Sequence, residues 1–139
     1  MPTRVLVPMD GSEMAEAALE YALDLFPDGD ITVFVVVGEP SAMMGGAVSL
    51  ALEEDIEEAA EELAADILDR ARQIAQSHDI EISTAFSWGS PAKEIVSRAE
   101  DFDTVVIGSH GGSVSDNLFV GNVAKKVFRR SPVPVTVVR

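Results

Sequence analysis

An α/β fold, a parallel sheet with helices on both faces, is what three features of the sequence predict. Short apolar runs alternate with stretches of helical periodicity in the order βαβαβαβαβ. Runs such as Ile31 to Val37 are continuously apolar rather than alternating, as strands covered on both faces must be. The chain has 139 residues, of which 47% are hydrophobic, which suits one domain with a proper core and leaves little room for two. In open sheets of this kind, ligands bind beyond the carboxyl ends of the strands, where the strand order switches. The candidate site therefore falls in the loops after strands one, two and four.

Arg4 to Met9 reads as the first strand, with Pro8 near its end, where a missing ladder donor does least harm. Asp10-Gly11-Ser12-Glu13 turns into a helix, with Asp10 or Ser12 as N-cap and Glu13 at the positive end of the helix dipole. Ala15, Ala18, Leu19, Ala22, Leu23 and Phe26 recur at helical spacing, and Pro27-Asp28-Gly29-Asp30 stops that helix. Ile31 to Val37 is the second strand. Gly38 to Ser49, with Gly38, Pro40, Gly45 and Gly46, is a loop. A long helix runs from about Leu50 to about His78, its inward stripe marked by Leu52, Ile56, Ala59, Leu63, Ile67, Ala71 and Ile74. Ile80 to Trp88 reads as the third strand. Ser90-Pro91 is an N-cap followed by proline at the first helical position, opening a helix with Ala92, Ile95, Val96 and Ala99 inward. Thr104 to Ile107 is the fourth strand, and a glycine-rich loop covers Gly108 to Val120. A helix from near Gly121 to near Arg130 and a strand over Val133 to Val138 complete the chain.

Composition narrows the function classes. There is no cysteine, so disulfides, thiol catalysis and cysteine-ligated zinc are excluded. No apolar run is long enough for a membrane helix, and Met1 to Arg4 is followed by too short an apolar stretch for a signal peptide, so the expected location is the cytoplasm. Ten basic residues against 24 acidic ones give a net charge of −14, which repels a phosphate backbone and disfavours nucleic acid as a partner. Residues 1–116 hold all 24 acids and five bases, net −19, and residues 117–139 hold five bases and no acid, net +5. An acidic, lysine-poor balance fits a halophilic protein whose self-repulsion is screened by salt. The crowd of Glu53, Glu54, Asp55, Glu57, Glu58, Glu61 and Glu62 suits the start of its helix and reads as a solvated face rather than a metal site.

The loop after strand four carries the sharpest chemical signal. Gly108, Gly111 and Gly121 have the spacing G-x2-G-x9-G, and Asn122 follows. Glycines let a backbone approach a phosphate closely, and the helix that Gly121 opens offers free N–H groups to an anion. Neither G-x4-G-K-[ST] nor G-x-G-x-x-G is present. On chemistry alone a flexible surface loop explains the spacing equally well.

The whole chain resembles the universal stress protein family. The pieces that carry the resemblance are VLVPMDGSE at 5–13, WGSPAKEIV at 88–96, VVIGSHGG at 105–112 and VGNVAKKVFRRSPVPVTVV at 120–138, in order and end to end, as one domain over 1–139. The resemblance implies a five-stranded parallel sheet of order 3-2-1-4-5, of the adenine nucleotide alpha hydrolase-like kind, and a homodimer. One branch of the family binds ATP through G-x2-G-x9-G-[ST], and this chain resembles that branch, with Asn122 standing where the motif has Ser or Thr. An Asn amide also donates a hydrogen bond but is longer and planar, so binding is expected to survive with altered affinity. The resemblance further implies that Pro8, Met9 and Asp10 line the ribose and base, that the backbone of Val36 reads the adenine, and that Gly108, Gly111, Gly121, Asn122 and Val123 cradle the phosphates, with Mg²⁺ as companion ion. Asp10 also serves as a helix cap, and Met9 and Val36 also fit the core.

His110, inside the glycine loop, is either a ligand contact or an exposed loop histidine; as a general base it lacks an evident orienting partner. His78 suits the negative end of its helix. Ser109, Ser113 and Ser115 read as loop hydroxyls without a base placed to activate them, so nucleophilic catalysis is unsupported. Lys125, Lys126, Arg129 and Arg130 compensate the end of the last helix, although Lys125 lies one turn from the phosphates. Trp88 reads as packing. The segment Gly38 to Ser49, with Met43 and Met44, is a lid, a partner surface or neither. Val133 to Val138 is expected at a sheet edge, where pairing with its copy across a two-fold axis makes the dimer. The functional expectation is a regulatory, ATP-binding homodimer read by a protein partner, with no membrane or nucleic-acid role. A slow ATPase or self-phosphorylating enzyme, and a structural dimer without physiological nucleotide, are the alternatives.

Overall fold

The computed structural model describes residues 2–37, 53–110 and 121–139. Five strands, β1 (Arg4–Met9), β2 (Asp30–Val37), β3 (Ser83–Trp88), β4 (Thr104–Gly108) and β5 (Val135–Val138), form one sheet of order β3-β2-β1-β4-β5. Every neighbouring pair is parallel. The helices are α1 (Glu13–Leu25), α2 (Glu53–Ser77), α3 (Pro91–Ala99) and α4 (Asn122–Arg130).

The period of two along each strand divides the core into two layers. Val5, Val7 and Met9 of β1, Ile31, Val33 and Val35 of β2, and Val106 of β4 meet α1 and α2 on one face. Leu6, Phe34, Val105 and Ile107 meet α3 and α4 on the other. Burial of each such side chain contributes about 1.5–3 kcal/mol, so the two-sided strands carry much of the folding free energy. The strand order switches between β1 and β4: β1 runs out to β2 and β3 on one side, β4 to β5 on the other.

Local chemistry sets the element ends. Ser12 is the N-cap of α1, its hydroxyl accepting the Ala15 N–H at 3.2 Å. Asp10 accepts the Ser12 N–H at 3.0 Å and so shapes the turn before the cap rather than capping the helix. Gly11 makes that turn with φ +83°, in the left-handed region that favours glycine. At the other end of β1, the Arg4 N–H and then the Arg4 guanidinium bond Asp103 and hold its carboxyl below the ordinary value of 3.8. Ser90 is the N-cap of α3 by position, but its side chain makes no cap hydrogen bond.

Three sequence expectations are corrected. The third strand begins at Ser83, not Ile80, because the Ile80 N–H bonds back to Ala75 O and Asp79 takes φ 56° to leave α2. The last strand begins at Val135, not Val133, because Ser131 accepts the Val133 N–H and donates to Val133 O, making a local turn. Leu63, at 60% exposure, and Ala59 are exposed, not inward, and Leu52 and the Ile56 side chain lie outside the described residues; the buried stripe of α2 runs through Ala64, Ile67, Leu68, Ala71, Ile74 and Ala75. Leu63 stands at the margin of that stripe, next to Ile74 and on the side away from Ala64 and Leu68. Glu57, Glu58, Glu61 and Glu62 are exposed on α2, as a solvated face requires. No described helix is long and apolar enough to cross a membrane.

Candidate functional site

Beyond the carboxyl ends of β1, β2 and β4 lies a cavity of about 450 Å³. It stands on the α3 and α4 side of the sheet, at the switch in strand order where such folds place ligands. Pro8, Met9 and Asp10 contribute from the end of β1, Val36 from β2, Gly108 and His110 from the end of β4, and Gly121, Asn122 and Val123 from the start of α4. Gly111, the middle glycine of the spacing, lies outside the described residues, as do Ser113, Ser115 and the segment 38–49 with Met43 and Met44.

Several of these residues have two duties. Met9 is 4% exposed and packs in the α1 and α2 layer of the core, while also lining the cavity. Gly108 ends β4 directly against the first turn of α1, where an added Cβ would meet Met14 C and O at 2.8 Å. Ser12, the N-cap of α1, also lines the cavity. Gly121 is the N-cap of α4; its N–H donates to Ser109 O, and a Cβ there would lie 3.1 Å from Ser109 O and His110 Cα. The end of β4 and the start of α4 are thereby drawn together, and the first N–H groups of α4 stand at the cavity without intrahelical partners.

Sequence reasoning missed the apolar floor. Phe34, Ile107, Pro91 and Ile95 also line the cavity. Phe34 lies two residues before Val36 on the same strand face, and Ile95 lies four after Pro91 on the same helix face, so the periodicities held a usable signal. The Arg98 guanidinium carbon stands 4.4 Å from the Phe34 ring centroid and steadies that ring from α3. Trp88 packs edge-on against Phe86 at 5.8 Å between centroids and is not part of the lining.

The polar groups of the cavity are few. Asp10 and His110 are the only ionisable side chains in the described lining. His110 has an orienting partner that its sequence position did not reveal: Ser109 Oγ lies 3.1 Å from its Nδ1. Lys125 does not line the cavity, and Lys125, Lys126, Arg129 and Arg130 are exposed, the two arginines in the last turn of α4. His78 follows α2, with Nδ1 3.4 Å from Asp24. No cluster of metal-ligating side chains occurs among the described residues. An apolar floor with backbone N–H donors and one amide at its rim is suited to a flat, largely apolar group joined to an anion.

The universal stress protein family model matches residues 1–139, the whole chain. The chain belongs to the universal stress protein family. The universal stress protein YxiE of Bacillus subtilis is 28% identical over 148 residues, with both chains covered in full. The solved universal stress protein UspA from Lactobacillus plantarum is 26% identical with a TM-score of 0.81, over 99% of this chain and 97% of that one. A universal stress protein solved in complex with cAMP is 22% identical with a TM-score of 0.71, over 99% and 97%, and shares the fold. Within this universal stress protein, the residues that the resemblance assigns to ribose, base and phosphate, Gly111 apart, converge on one cavity.

Proposed function

We propose that this protein is an adenine-nucleotide-binding regulatory module that works as a homodimer in the cytoplasm and takes ATP with Mg²⁺. The observation that supports this most strongly is the convergence of Asp10, Val36, His110, Gly121 and Asn122, from four separate segments, on the cavity at the strand-order switch. The apolar floor of Phe34, Ile95 and Ile107 offers a face for the base, and the first turn of α4 offers N–H groups for phosphate. The family member held in complex with cAMP supports an adenine nucleotide in this fold. In this reading, nucleotide occupancy is read by a protein partner. Edge pairing of β5 with its copy forms the dimer.

The experiment is a thermal-shift titration with MgATP on the native chain and on Gly111→Val, with the dimer followed by light scattering. The reading expects the native protein to be stabilised and the variant to lose that response while remaining dimeric. Failure of MgATP to stabilise the native protein overturns it. Steady-state phosphate release at saturating MgATP separates regulation from turnover, and sustained release favours the slow ATPase.

A further inference from the structure

We infer that His110 meets the phosphates as an Nε2–H donor and that Ser109 is the positioning residue that fixes this tautomer, an inference that rests on the nucleotide reading above. Ser109 is 1% exposed. Each of its polar groups is engaged: its N–H donates to Val138 O at 2.7 Å, its carbonyl accepts the Gly121 N–H, and its Oγ lies 3.1 Å from His110 Nδ1. A buried hydroxyl proton left without an acceptor is costly. Among the described residues, Nδ1 is the one acceptor within hydrogen-bond reach of that hydroxyl, so the proton goes to it. A ring nitrogen that accepts carries no proton, which places the proton of the neutral ring on Nε2, the nitrogen left for the cavity that His110 lines.

The tautomer decides whether position 110 attracts or repels an anion. The described lining contains no Lys or Arg, and residues 38–52 and 111–120 contain none either. A phosphate held here must therefore be gripped by neutral donors or by an accompanying cation. An Nε2–H adds one donor to the free N–H groups of α4 and the Asn122 amide. A bare Nε2 would instead turn a lone pair toward phosphate oxygens. The Ser109 hydroxyl reaches the ligand only through this ring, because Ser109 does not itself line the cavity.

The test joins ring spectroscopy to binding. Long-range proton–nitrogen NMR on isotope-labelled protein reads the tautomer without nucleotide, and with only two histidines in the chain His78→Gln assigns the signals. The inference expects protonated Nε2 and an accepting Nδ1 in the native protein at neutral to mildly alkaline pH, and a mixture of tautomers in Ser109→Ala. By calorimetry, Ser109→Ala should bind MgATP about five-fold more weakly, the worth of one hydrogen bond. Ser109→Cys, a weaker donor of similar size, should fall between. Ser109→Ala on a His110→Ala background should add nothing, since the two act as a unit. An Nδ1–H ring, an imidazolium, or losses that multiply in the double variant overturns the positioning role alone, with native MgATP binding intact. No binding by the native protein at millimolar MgATP overturns the nucleotide reading and the donor role together, whatever the ring state.

Discussion

Gly108 answers to packing before it answers to any ligand. An added Cβ would lie 2.8 Å from two backbone atoms of Met14, which cannot swing aside as a side chain can. Gly108→Ala is therefore expected to lower stability by about 1–3 kcal/mol through overpacking, read as a lower Tm in the absence of nucleotide. An unchanged Tm would show that α1 and β4 yield without cost. Gly121 is less crowded, with its nearest contacts at 3.1 Å. The glycine spacing was legible in the sequence, but its first obligation was not. That obligation comes from the first turn of α1, a segment far away along the chain, and no local pattern reports such a contact. The same limit hid Ser109: a serine beside a histidine is unremarkable in sequence, and only its burial and the meeting with Nδ1 give the pair a role.

At the scale of elements, the strands whose faces are both buried were the most legible. β1, β2 and β4 carry continuous apolar runs, and their observed limits lie within a residue of those the sequence predicts. β3 and β5 were read too long at their amino ends, because Ile80 and Val133 are captured by local turns before a ladder can take them. Both are edge strands, but they differ in guard. Thr84 of β3 accepts a hydrogen bond from Arg72 of α2 at 2.9 Å. The side chains of β5 are aliphatic apart from Thr136. Along β5, Pro134 O and Val138 O accept from β4, so by the period of two Val135 and Val137 turn their N–H groups to the open edge. Val137→Pro removes one outward donor and spares the bonds to β4. If β5 pairs with its copy, this variant should be a folded monomer by light scattering and circular dichroism. A variant that remains dimeric would place the interface elsewhere.

At the scale of the whole molecule, the sheet with helices on both faces was legible because alternation of strand and helix leaves few topologies, and the family pieces covered the chain end to end. The net charge of −14 belongs to this scale as well. Described ion pairs are few and exposed: Arg4 with Asp103, Arg70 with Glu16, and Arg72 with Asp69. Pairs of that kind contribute about 0–1 kcal/mol each and cannot offset the repulsion of so many carboxylates. Screening by KCl relieves that repulsion, so Tm should rise as KCl is raised. A Tm that is flat or falling in KCl would remove salt adaptation from the account.

The account turns on whether the cavity at the strand ends grips phosphates with Asn122 in place of a hydroxyl residue and with no Lys or Arg in its described lining. Calorimetric titration with MgATP in concentrated KCl, repeated with AMP, tests this most directly. The account predicts saturable MgATP binding with a Kd on the order of micromolar, about −8 kcal/mol, and markedly weaker AMP. Absence of heat at millimolar MgATP would contradict it.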